Sequence, residues 1–412
     1  MRKTADHCLF QKDVIHNQYP KLNQDIKTDV LIVGGGVSGA LTAFMFKEQN
    51  IDVTLVEKET VATGSTLAST SLLHYEIDTD LNRLSALVGE TEATSAFKLC
   101  LDAVGRLGEV ITHLNDSCDF ILRPSFYYTN KDEEYDYVYD EYLLRKSKGF
   151  DVTFYDGKKE ADKFTFPFKA GIFSNDKGAE VNPVKLTNEL LSYCHKKDMP
   201  IYDLTGVVEY DLSNDKPVAI TEYGLKIECN KIILASGYDN IAFMDEDLYD
   251  MTRTFILATK PVDSFDGWHE RCLIKDTADA YSYLRTTVDN RIIIGGEDIE
   301  VTLNDHDTLY MKDNHGLAIQ KYNLLKKRLE DFFPLIKDKV IDNSFNGIFI
   351  DSHDGLPYIG EQDDYPNMYF NTAIGSNGLL YGLIGAELIL KQYLGIDDDD
   401  ISKLFSFDRA SL

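Results

Sequence analysis

Hydrophobic and polar positions alternate on two different periods along this chain, and the change of period marks out its elements. The run Asp29-Val-Leu-Ile-Val33 is apolar and β-branched throughout, the pattern of a strand buried on both faces of a parallel sheet. Glycines at 34, 35, 36 and 39 end it, and Ala40 to Glu48 then offers good helix formers with apolar residues at helical spacing. Asp52 to Glu57 is a second buried strand, so the spacing predicts one βαβ unit at the start of the chain.

Further on, a long helix is expected from Leu84 to Leu114 and a charged, tyrosine-rich one from Lys131 to Lys148, stopped by Gly149. Asn182-Pro183 reads as a cap and first turn for a helix reaching Cys194, followed by strands near Ile201–Leu204 and Val207–Leu212. Lys231 to Gly237 is another buried strand ending at glycine. From about 251 to 300 the pattern alternates as antiparallel strands do, most clearly in Tyr281–Arg285 and Arg291–Gly295, and the span Asp313–Phe333 is helical. Parallel and antiparallel regions interleave, with no internal repeat.

Composition narrows the class. The 412 residues suffice for two domains with ample cores, and 43% hydrophobic with 27% charged residues describes a folded globular protein. Lys and Arg number 42 against 69 Asp and Glu, a net charge of −27, which disfavours a nucleic-acid or anionic-membrane partner. The six cysteines are too far apart for redox pairs or zinc-ligand spacing, so no metal is expected and the thiols read as reduced. Met1 to Phe10 lacks the apolar core of a secretory leader, and the uncharged run Val30 to Phe46 is punctuated by glycines, so a cytoplasmic address without a membrane span is expected.

The first βα turn carries the most specific chemistry. Gly34-Gly-Gly36-Val37-Ser38-Gly39 is GxGxxG, whose glycines allow a tight turn, close backbone approach to a pyrophosphate and packing of helix on strand. The helix N-terminus then faces the phosphates. Glu57 closes the next strand, where a carboxylate accepts ribose hydroxyls and opposes a 2′-phosphate. These residues alone do not separate NAD from FAD.

The separation comes from further segments in order: Glu57-Lys58, Thr63 to Thr70, Asn182 to Leu186, Ile201 to Val207, Leu234 to Gly237, Gly347 to Gly360 and Gly375 to Gly378. With them the sequence, from about Thr28 to Leu394, resembles the flavin-dependent family of glycine oxidase, D-amino-acid oxidase and monomeric sarcosine oxidase. The resemblance implies an α/β fold, with a discontinuous Rossmann-type FAD-binding domain (residues 1–90, 170–250 and 340–412) and a mixed antiparallel-sheet substrate domain (91–169 and 251–339). It implies Ser65 and Ser69 on the pyrophosphate and flavin side, a backbone contact from Val207, and Ala235-Ser236-Gly237 beside the cofactor. Gly355, Gly375, Asn377, Gly378 and Leu379 would complete the flavin site, the last of these opening a helix whose N-terminus favours negative charge on the reduced ring. Covalent attachment points in the family align with Gly347 and Ala68, so the FAD is expected to be non-covalent.

The resemblance also implies hydride removal from the C–N bond of an amine or amino acid, to an imine that water hydrolyses. Rival readings are flavin-dependent oxidation of a 2-hydroxy acid and a non-catalytic FAD-binding partner protein. The arginine that clamps a substrate carboxylate aligns here with Phe349. Tyr283 falls at a substrate-facing tyrosine, and strand alternation puts Arg285 on the same face, as a replacement clamp or as an ion-pair member on an edge strand. His74, after the flavin-side loop, is a candidate for handling a proton or a core histidine. The electron acceptor is left open.

Overall fold

The structure, a computed structural model, describes residues 8–278, 281–336, 340–396 and 399–409. Residues 1–7, part of the segment read for a leader, lie outside them. The N-terminal glycine motif sits in a six-stranded sheet ordered Tyr358–Glu361, Met368–Thr372, Lys231–Leu234, Val30–Val33, Val53–Val56 and Ile201–Tyr202. All neighbours are parallel except Tyr358–Glu361. Val30, Leu31 and Ile32 are fully buried because helices cover the sheet. The helix Val37–Glu48 packs against Pro183–Lys196 and Gly378–Leu394. Asn182 caps Pro183–Lys196 as expected, its Oδ1 accepting from the N–H groups of Val184 and Lys185.

A four-stranded sheet (Ile26–Lys27, Lys226–Glu228, Val218–Thr221, Val207–Asp211) stands beside the first. The third sheet has nine strands, in the order Ile341–Asp351, Asp250–Thr259, Ile292–Glu300, Ser282–Thr286, Leu273–Asp276, Ile121–Thr129, Ala170–Glu180 and Leu72–Leu73, with Val152–Asp156 also pairing with Ala170–Glu180. Its pairs are antiparallel apart from Leu273–Asp276 with Ile121–Thr129.

Sheet membership departs from the expected boundaries. Ala170–Glu180 and Ile341–Asp351, expected with the FAD-binding segments, pair in the nine-stranded sheet. Helix Glu90–Thr112, expected with the substrate segments, packs on Gly378–Leu394 and shares a core with the six-stranded sheet. The single helix expected over Leu84–Leu114 is two, Leu81–Val88 and Glu90–Thr112, because Gly89 turns between them at φ +100°.

Candidate active site

A cavity of about 580 Å3 runs from the carboxyl ends of the parallel strands to one face of the nine-stranded sheet. Gly34, Gly36, Val37, Ser38, Glu57, Lys58, Ser65, Ser69, Val207, Ala235, Ser236, Gly237, Gly375, Gly378 and Leu379 all line it, as do His74 and Tyr283. These expected residues, scattered through the sequence, are brought together. Gly347, Ala68 and Phe349 line it too.

The glycine turn shows why its residues are small. A Cβ on Gly34, at φ +116°, would lie 2.4 Å from the Ala235 carbonyl oxygen, and one on Gly39 would lie 1.9 Å from that of Gly34. Gly39 therefore does not line the cavity but lets the helix approach the strand. Gly36 is the N-cap of Val37–Glu48 and opens on the cavity, as a phosphate cradle requires. The Glu57 carboxylate accepts from Gly35 N at 2.7 Å through Oε2 and from Glu59 N at 2.8 Å through Oε1, which leaves each oxygen a further lone pair for a ribose hydroxyl. Burial pushes its pKa up, against those two backbone bonds. Backbone approach at Gly36, a helix N-terminus and a fixed carboxylate suit the dinucleotide half of FAD.

Besides Gly39, three expected site residues lie elsewhere. Gly355, at φ +77°, accepts a hydrogen bond from Tyr381 Oη at 2.9 Å behind the cavity wall. Asn377 is buried and donates to the Glu76 carbonyl at 3.2 Å. Arg285 is the larger correction. It is 2% exposed, donates from Nη2 to the Val181 carbonyl at 3.1 Å and lies 5.8 Å from the Phe10 ring centre, lining a separate cavity of about 140 Å3. Burial pushes its pKa down to about 10. Alternation gave the right face, but two residues of strand rise carry Arg285 about 7 Å past Tyr283, under the N-terminal segment.

Other side chains take the sheet-side positions. Lys275 pairs directly across the ladder with Tyr283, forms an ion pair with Asp78, and places its Nζ 4.8 Å from the Tyr281 ring centre. Tyr283 Oη is 3.1 Å from Thr254 Oγ1. Asp298 lines the cavity beyond an irregularity in the ladder, where Glu297 adopts φ +58°. Burial, with some help from Asp78, pushes its carboxyl up to about 6, against a hydrogen bond from Thr254. Lys275, Asp78 and Asp298 were not anticipated. A lysine within Leu273-Ile-Lys was the available signal for Lys275, whereas the irregularity that turns Asp298 inward has no clear one.

His74 Nδ1 lies 3.2 Å from Glu76 Oε2. Glu76 also accepts from Ser125 at 2.8 Å and from Arg145 at 3.4 Å, and Arg145 Nε donates to Glu141 at 2.7 Å. Burial alone would raise Glu76, but His74, Arg145 and Ser125 hold it down at about 2. A carboxylate on Nδ1 leaves Nε2 as the imidazole nitrogen available to the cavity.

This arrangement defines a flavoprotein oxidoreductase. The family of FAD-dependent oxidoreductases called DAO matches residues 29–392, and the chain belongs to it. FAD is accordingly its cofactor. Over 389 residues the chain is 22% identical to gamma-glutamylputrescine oxidoreductase of Escherichia coli (strain K12), covering 90% of this chain and 85% of that protein. A Bacillus subtilis (strain 168) protein named as a Rieske 2Fe-2S iron-sulfur protein is 22% identical over 262 residues, 63% of this chain but half the length of that relative. Glycine oxidase from Geobacillus kaustophilus superposes with a TM-score of 0.74 at 18% identity, covering 90% of this chain and 95% of that one. Among the described residues no helix is long and apolar enough to cross a membrane.

Proposed function

We propose that this protein oxidises an amine at the carbon bonded to nitrogen, with FAD held without a covalent link, in the cytoplasm. The observation that carries the reading is the continuous cavity, which joins the glycine turn and Glu57 to the tyrosine face of the nine-stranded sheet. Bound FAD supplies the hydride acceptor. The substrate loses a hydride from carbon while its nitrogen lone pair closes a C=N bond, and water then hydrolyses the imine. Tyr283, fixed by Thr254, shapes the substrate side, and His74 Nε2, oriented by Glu76, can hold the proton that an ammonium group releases before it reacts. The names of the similar oxidoreductase and oxidase support carbon–nitrogen chemistry.

An α-amino acid substrate has less support. Phe349 lines the cavity where the family's guanidinium would stand, and Arg285 does not replace it. The lysines of the cavity, Lys58 and Lys275, are paired with Asp239 and Asp78. The cytoplasmic assignment is supported by six free, buried cysteines. Anaerobic mixing of the FAD-loaded protein with amines, α-amino acids and 2-hydroxy acids tests the reading. Flavin bleaching by amines is expected. Bleaching by hydroxy acids alone, or by no compound of the three classes, overturns it.

A further inference from the structure

We propose that Asp298, with Tyr281 and Tyr283, selects an amine substrate carrying a second positive charge away from the reacting nitrogen, as in a diamine. This rests on the amine-oxidation reading and deepens it. Asp298 lines the substrate side of the cavity, and its Oδ1 is buried with no hydrogen-bond partner. A buried carboxylate with one oxygen left without a donor is costly until a cation answers it. Among the described residues, the lysines that line the cavity are committed elsewhere, Lys275 to Asp78 and Lys58 to Asp239. Lys321 and Arg328, on the helix Gly316–Phe332, both pair with the adjacent Glu297.

The aromatic surroundings suit the same ligand. The rings of Tyr281 and Tyr283 have centres 5.9 Å apart at 45°, and both line the cavity that Asp298 lines. Two tilted π faces beside one carboxylate recognise an ammonium by cation–π attraction and by charge together. Ile256, Ile348 and Phe349 give an alkyl spacer an apolar wall. A substrate carboxylate would instead meet Asp298 at close range, which is repulsive.

The test uses the FAD-loaded protein and anaerobic flavin bleaching with 1,4-diaminobutane, its mono-N-acetyl derivative, butylamine and alanine. The second ammonium is present in the first compound and neutralised or missing in the next two. The diamine is expected to give a kcat/KM about 10- to 100-fold above either neutral-tailed amine, the range of one charged contact. In Asp298→Asn that ratio is expected to fall towards one; Asp298→Ser reads the same if the first variant does not retain flavin. Equal reduction by butylamine and the diamine, or a ratio unmoved by the substitution, overturns the selection by Asp298 while leaving amine oxidation standing. Preferred reduction by alanine also overturns it. No bleaching by any amine overturns the broader reading instead.

Discussion

Tyr283 lies across Gly295 on the paired strand, so close that a Cβ on Gly295 would come within 2.2 Å of the tyrosine Cζ. The missing side chain is what lets the ring lie along the sheet with its hydroxyl 3.1 Å from Thr254. Gly295→Ala is expected to displace the ring, costing about 1–3 kcal/mol of stability by overpacking. Substrate-driven flavin reduction should slow while the resting flavin spectrum persists. Thermal melts and stopped-flow absorbance measure the two effects, and normal reduction kinetics would remove Tyr283 from the substrate site.

Glu57→Ala removes the carboxylate that closes the second strand and is fixed by Gly35 and Glu59. FAD affinity should weaken by about 1–3 kcal/mol, the range for charged hydrogen bonds. Titration of the flavin-free protein checks this, an unchanged dissociation constant being the contrary result.

Gly347 and Ala68 line the cavity where family attachment points align, and neither has a side chain that can bond the ring. Acid precipitation should therefore release all flavin to the supernatant. Yellow pellet would contradict a dissociable cofactor.

Arg285 belongs to a different outcome class. Since Arg285→Leu leaves the Val181 carbonyl without its donor, a stability change of about 1–3 kcal/mol is expected. Flavin reduction should match the parent. A kinetic loss without a change in melting would return Arg285 to the substrate.

Glu76 carries an acid dependence. Its folded pKa of about 2 lies below the ordinary 4.5, so the unfolded chain binds a proton more readily in between. The stabilisation is full above the ordinary value and is lost as pH falls through the folded one. Glu76→Gln should cost about 3–5 kcal/mol at neutral pH by leaving Arg145 short of a charged partner. The deficit should narrow between about pH 4.5 and 2 in denaturant titrations; a deficit independent of pH would remove Glu76 as its source.

The nucleotide half of the site was legible because its chemistry is local: a strand, a glycine turn and a helix are consecutive, and each glycine answers a steric demand seen within a few residues. The substrate half was not, since cross-strand register decides it. Alternation placed Tyr283 and Arg285 on one face but carried no information on what covers each end of the strand. Lys275 meets Tyr283 only through pairing between separate strands, and Asp298 turns inward after a ladder irregularity. Gly355 and Asn377 came from segment resemblance, which gives neighbourhood along the chain and not contact.

The strand order has a consequence for synthesis. Val30–Val33 is flanked by a strand starting at Lys231, which leans in turn on Met368–Thr372, and Gly378–Leu394 covers the first helix. A nascent chain thus holds its glycine turn early yet cannot finish the sheet beneath it until Thr372 has left the ribosome, nor cover its first helix until Leu394 has. Until Met368–Thr372 emerges, the free edge of Lys231–Leu234 is exposed to wrong partners. Termination before the helix Gly378–Leu394 should therefore yield an aggregating product that retains no flavin.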